Sequence, residues 1–232
     1  SYDIFLCSQC ETHFIDPLSW DPSIYGLIYQ DSDSPGYARY FNYAEQIRHS
    51  ANPLCFLSKQ EVLYGAVKKC MQGKQSLRIL EIGSGYGYLS YALTKQGHTV
   101  VGVDISEGAV SFAQKHFPEA NFSSGTLSDF AQNYTGELFD VIIATELIEH
   151  LPHPGSFFKD GLKLLTLDGS FFLTTPNKDF HKNKTPIRIW NTDLPPVHTC
   201  WLGKKSFESL PPTLGLHALF PSTRWCLPTK EN

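Results

Sequence analysis

Residues 78–90 read RILEIGSGYGYLS, and the reading of this stretch decides the fold. Ile79, Leu80 and Ile82 form a short apolar run suited to a buried parallel strand. Gly83, Gly85 and Gly87 follow at once, and apolar spacing resumes from Tyr88 to Leu93. Strand, glycine turn and helix start therefore succeed one another within thirteen residues. Glycines at alternate positions let the backbone take positive φ and let a ligand approach without Cβ atoms in the way. The first amides of the following helix would offer donors to polar ligand atoms. The bland alternative is a tight turn with no ligand; the chemical one is a nucleotide-like cofactor.

Spacing separates two cofactor classes. A dinucleotide fingerprint needs a further glycine three residues after the second, and Tyr88 stands there. Glu81 precedes the first glycine by two, so the pattern is Glu81-x-Gly83-x-Gly85-x-Gly87. It resembles motif I of the class I S-adenosylmethionine-dependent methyltransferases, in which this loop packs against the methionine and ribose parts of the cofactor. The fold that this resemblance implies is a doubly wound, Rossmann-like, mostly parallel seven-stranded sheet with helices on both faces.

Downstream, HTVVGVDIS (98–106) reads as a second buried strand with Asp104 at its end. An acid at that tip can accept both ribose hydroxyls of an adenosine. A helix cap is the other role open to it, and Ser106 can take that role instead. Residues 120–130, ANFSSGTLSDF, hold a short strand and the loop where the resemblance implies the adenine, with Thr126 and Leu127 as its contacts.

The second strong signal is FDVIIATELIEHLPHP, residues 139–154. Asp140 to Ala144 reads as a buried strand, so Thr145 and Glu146 emerge at a carboxyl end, where open parallel sheets bind ligands. If the segment is helical, Glu146, Glu149 and His150 share one face. With His198 from the later PPVHTCW they form a candidate divalent-cation site. This resembles the Glu-x-x-Glu-His plus distant His of the metal-dependent small-RNA 3′-end 2′-O-methyltransferases and the ubiquinone-pathway O-methyltransferases. There the resemblance implies a metal that holds vicinal oxygens and lowers the pKa of the hydroxyl to be methylated. Two other readings stay open: His150, with Glu146, as metal-free catalytic groups, or plain capping and solvation of the helix.

SFFKDGLKLLTL (156–167) reads as an amphipathic helix ended by Gly169, and residues 170–179 as a fifth strand running into Thr-Thr-Pro-Asn, with substrate contacts expected near Asn177. Residues 180–203 form a long loop suited to substrate binding. A last helix starts at Lys204, and LHALF with TRWCL reads as a closing hairpin. Before the glycine loop, residues 37–50 and 58–72 read as two amphipathic helices, the second opening on a Ser58/Glu61 capping box. They form a lid, and Tyr37, Tyr40, Phe41 and Tyr43 either line the pocket or pack in the core.

Cys7 and Cys10 form a single C-x-x-C with His13 nearby. It resembles the N-terminal knuckle of some bacterial methyltransferases, but a closed zinc site needs four ligands. Two thiols on a hairpin is the plainer reading. The expected division is residues 1–36 as knuckle and linker and 37–232 as a methyltransferase domain with its lid at 37–72.

With 232 residues and 41% hydrophobic content the chain can bury one sizeable core. A formal charge of −4 and no long Lys/Arg run give no footprint for extended nucleic-acid binding. No apolar run reaches membrane-spanning length and no signal peptide opens the chain, so a cytoplasmic protein with reduced cysteines is expected. The function expected is S-adenosylmethionine-dependent O-methylation of a small-molecule hydroxyl. RNA 3′-end 2′-O-methylation, or a cofactor-binding scaffold without turnover, are the alternatives.

Overall fold

The computed structural model describes residues 2–16, 18, 43–181, 195–209 and 211–220. Within them run strands β1 (Asp3–Leu6) and β2 (His13–Asp16), then helices α1 (Tyr43–His49), α2 (Pro53–Gln60) and α3 (Val62–Met71). Strand and helix then alternate through β3 (Arg78–Ile82), α4 (Tyr88–Thr94), β4 (Thr99–Asp104), α5 (Glu107–His116), β5 (Asn121–Ser124) and α6 (Leu127–Asn133). The chain continues with β6 (Phe139–Thr145), α7 (Pro154–Leu162), β7 (Leu165–Thr174), β8 (Cys200–Trp201) and α8 (Lys204–Ser209). These elements fall into two compact units: residues 22–145 with 160–173, and residues 1–21, 146–159 and 174–232.

The larger unit is a five-stranded sheet in the order β5-β4-β3-β6-β7. β3 runs parallel to both β4 and β6, and β4 parallel to β5. Succession runs outward from β3 in one direction and then restarts at β6 on its other side. The switch point where ligands enter such sheets therefore lies between β3 and β6. Ile79, Leu80, Ile142 and Ile143 are fully buried, as strands covered on both faces must be. α2 opens at Asn52, whose side chain accepts from the Cys55 amide at 2.9 Å, with Pro53 in the first turn. Ile47, Leu54, Leu57 and Val67 pack into one cluster with Leu89, Ala92 and Leu93 of α4.

The doubly wound α/β expectation holds, with local corrections. Five strands, not seven, form this sheet among the described residues. Residues 216–220 carry no strand, and the TRWCL half of the closing hairpin lies outside the described residues. The Ser58/Glu61 capping box does not form. Ser58 sits inside α2 and donates to the Cys55 carbonyl, while Glu61 is extended (φ −133°, ψ 139°) and divides two helices where one was expected. The stronger start signal is Asn52-Pro53, with the cap six residues before Ser58.

α7 ends at Leu162, short of the expected Leu167, and Gly169 lies within β7. A Cβ on Gly161 would stand 2.5 Å from the Phe171 ring and 3.2 Å from Ile142, so helix and sheet touch there and the chain must turn at once. Leu164 belongs to that turn, its amide donating to the Gly161 carbonyl at 2.9 Å. Tyr43, the described member of the aromatic stripe, is core: 5% exposed, with its hydroxyl on Glu61 at 3.3 Å. Tyr37, Tyr40 and Phe41 lie outside the described residues.

The smaller unit contains a three-stranded sheet in the order β1-β2-β8, antiparallel at both pairings. Its register sets His13 opposite Trp201 and Phe14 opposite Cys200, and the Ile15 amide continues the ladder to the Thr199 carbonyl at 3.1 Å. Among the described residues no helix is long and apolar enough to cross a membrane.

Candidate functional site

In the larger unit, the carboxyl ends of three neighbouring strands converge at the switch point. β3 delivers the glycine loop, β4 delivers Asp104 and β6 delivers Thr145. Gly83, Gly85 and Gly87 all take positive φ (75°, 49° and 77°), the conformation only glycine adopts freely. Position 87 is closed to other residues by space as well: a Cβ would lie 2.6 Å from the Phe122 ring and 2.8 Å from the Ala113 methyl.

The loop closes on its own chain. The Gly83 and Ser84 amides donate to the Val103 carbonyl at 2.8 and 3.1 Å, and the Gly87 amide to Ser84 at 2.8 Å. Asp104 accepts from the Gly85 amide through Oδ2 at 2.8 Å and from the Ser106 amide through Oδ1 at 2.9 Å. Burial pushes the Asp104 carboxyl upward while those two amides pull it down. An ionised carboxylate has about four lone-pair sites, so two backbone bonds leave room for further donors.

Glu81 stands behind the loop, 3% exposed, and accepts from the Ser90 hydroxyl of α4 at 2.5 Å. Burial pushes it up to about 8, against the opposing pull of Ser90. Burial thus favours the protonated acid, and the Ser90 bond ties strand to helix. Thr126 caps α6: its hydroxyl donates to Asp129 Oδ2 at 2.6 Å and accepts the Asp129 amide at 3.1 Å. Leu127 is buried beside it at 8% exposure.

Sequence reading overlooked two members of this group. Gly102, opposite Glu81 in the ladder, makes the room: a Cβ there would meet Ser90 Oγ at 2.8 Å and Ser84 Cβ at 2.9 Å. A lone glycine inside a strand pattern signals such a close approach and could have been noticed. Ser84 is the other. Its buried hydroxyl has no hydrogen-bond partner among the described residues.

In the smaller unit, Glu149, His150 and His198 each offer a ligand atom within 4.8 Å of the others. Glu146 is not a member, which corrects the four-residue set. The helical condition is not met: Glu146 takes φ +49° and only Ile148–His150 forms a single 3-10 turn, so the i, i+3, i+4 face does not form. The Glu146 amide instead donates to the Thr174 carbonyl at 3.0 Å.

Backbone pairing assembles the trio. Thr199 donates to the Glu149 carbonyl from its amide at 2.9 Å and from its hydroxyl at 3.1 Å, which draws His198 against the turn. The His150 and His198 rings stand 4.5 Å apart at 87°. His150 Nδ1 lies 2.8 Å from the Val197 carbonyl, an acceptor, so Nδ1 carries the proton and Nε2 the lone pair. Burial pushes the His150 imidazole below its ordinary range, and burial followed by the neighbouring His150 takes His198 down to about 3. Both rings are neutral at pH 7, the form that binds a metal or accepts a proton. Asn177 serves its own backbone, its Oδ1 accepting the Asp179 amide at 3.0 Å. Most of the expected substrate loop, residues 182–194, lies outside the described residues.

Cys7 and Cys10 sit on the turn of the β1–β2 hairpin. Hydrogen bonding from the Cys10 and Gln9 backbone and from the Cys10 side chain pulls the Cys7 thiol below its ordinary range. His13 does not join them in any cluster of three ligands among the described residues.

A family model described as a methyltransferase domain matches residues 56–218, more than half of the chain. The chain belongs to that family. The chain is 34% identical over 136 residues to a ubiquinone biosynthesis O-methyltransferase of Actinobacillus pleuropneumoniae, covering 56% of this chain and 57% of that one. It is 33% identical over 137 residues to the protein of the same name from Azorhizobium caulinodans, covering 56% and 53%. The chain thus spans a little over half the length of these curated relatives. A solved Bacillus halodurans structure assigned to the methyltransferases superposes with a TM-score of 0.54 at 17% identity, over 65% of this chain and 67% of that one, a likeness of fold.

Proposed function

We propose that this chain transfers a methyl group from S-adenosylmethionine to a hydroxyl of a small molecule. The observation that carries the reading is the methyltransferase-family match over a sheet whose switch point holds three left-handed glycines beside a buried aspartate. The orphaned Ser84 hydroxyl and the spare lone pairs of Asp104 fit a polar, adenosine-bearing ligand. The sulfonium of that cofactor supplies an already electrophilic methyl carbon.

The tasks left to the chain are binding, orientation and proton removal. In this reading Gly83, Gly85 and Gly87 give the cofactor close backbone approach, Asp104 accepts from its ribose, and Thr145, Thr126 and Leu127 flank it. Glu81 holds the loop from behind. His150, neutral and with Nδ1–H fixed by Val197, is the candidate to take the hydroxyl proton at Nε2. A second reading is favoured by the trio: Glu149, His150 and His198 would hold a divalent cation. Such an ion, when bound, lowers the pKa of a coordinated hydroxyl. The hydroxyl acceptor is drawn from the relatives that carry the O-methyltransferase name.

Calorimetric titration of S-adenosylhomocysteine and of NAD tests the first reading. Binding of the nucleoside, its loss in Asp104→Ala and no response to NAD are expected; NAD binding without nucleoside binding would sink it. Transfer of labelled methyl to a catechol but not to an RNA 3′ end separates the two acceptor classes.

A further inference from the structure

We infer that Thr175 is a positioning residue for Glu149, selecting which carboxylate oxygen the trio can use; this rests on reading the trio as a cation site. Glu149 is 2% exposed and sits on a single 3-10 turn, and its terminal torsion is broad and two-fold. The orientation of the carboxylate plane therefore has to be set by a partner. The Thr175 hydroxyl does so, donating to Oε2 at 2.8 Å. The other oxygen, Oε1, is the one facing the ring partner, 3.9 Å from His150 Nε2.

Each half of the pair is thus held from its far side. The Val197 carbonyl fixes His150 through Nδ1 and presents Nε2; Thr175 fixes Glu149 through Oε2 and presents Oε1. Fixing both presented atoms in advance is how outer partners raise the affinity of ligating groups. Thr175 stands 26 positions from Glu149 and directly after β7, so neither spacing nor helical periodicity could have linked them.

The test is calorimetric titration of Mn²⁺ into the whole chain. Mn²⁺ favours carboxylate oxygen over soft thiolate ligands, which keeps the Cys7/Cys10 thiols out of the measurement. Glu149→Gln reports whether the trio binds, while Thr175→Val and Thr175→Ala remove the hydroxyl in two packing contexts and Thr175→Ser restores it. Circular dichroism and S-adenosylhomocysteine affinity check folding, and whichever of the Val and Ala variants folds is read.

Loss of Mn²⁺ binding in Glu149→Gln, weakening of about 10- to 100-fold in the hydroxyl-less variant and recovery to within about threefold in Thr175→Ser are expected. Wild-type affinity in the Val or Ala variant, with Glu149→Gln still deficient, would overturn the role of Thr175 and leave the trio standing. No binding by wild type, or unchanged binding in Glu149→Gln, would overturn the cation reading and this inference with it.

Discussion

Glu81 shows how one buried group couples the glycine loop to pH. Its folded pKa of about 8 lies above the ordinary 4.5, so the native state binds the proton more tightly than the unfolded chain does. This contribution to stability is complete below about pH 4.5 and is lost as pH rises through about 8. Glu81→Gln keeps an acceptor for Ser90 and cannot ionise. Urea unfolding between pH 5 and 9 is therefore expected to show wild type losing stability relative to the variant as pH rises. Parallel curves would mean that Glu81 titrates normally. Cysteines differ at the same scale: backbone amides pull Cys7 down, whereas burial pushes Cys70 up. Mass-spectrometric mapping after limited iodoacetamide treatment at pH 7 should find Cys7 alkylated well before Cys70.

Among elements, the start of α2 and the start of α4 make opposite demands on their first residues. Asn52 caps α2 through its side chain, and Asn52→Ala is expected to cost about 1 kcal/mol, read as a lower thermal midpoint with cofactor affinity retained. Gly87 opens α4 in the left-handed region with the Phe122 ring against its missing side chain. Gly87→Ala combines backbone strain of about 1–3 kcal/mol with a displaced ring. It should lower both the midpoint and S-adenosylhomocysteine affinity, and a variant with native affinity would show that the loop tolerates distortion. Strand β3 was legible because its apolar run is short and its glycines follow at once. The α7–β7 boundary was not, because Leu164, Leu165 and Leu167 continue a helical-looking pattern past the turn that Gly161 and Phe171 enforce.

Taken as a whole molecule, the protein should respond to S-adenosylhomocysteine by mass action under the proposed function. At a hundredfold excess over Kd, S-adenosylhomocysteine should stabilise the native state by about 2.7 kcal/mol, visible as a concentration-dependent rise of the thermal midpoint of the larger unit. No rise at any concentration would count against a cofactor site in the glycine loop.

What the sequence determined by itself was the alternating α/β order, the glycine loop and the acid at the tip of the second strand. These rest on local rules: apolar runs, glycine's access to positive φ, and strand ends. Tertiary structure alone decided who meets whom. It removed Glu146 from the metal-type set by giving it φ +49°, and it drew His198 to Glu149 through Thr199. It also set Thr175 against Glu149, and Gly102 against Ser84 and Ser90. Those contacts join residues far apart in the chain, and their geometry follows from sheet register and turn closure, which no local spacing encodes.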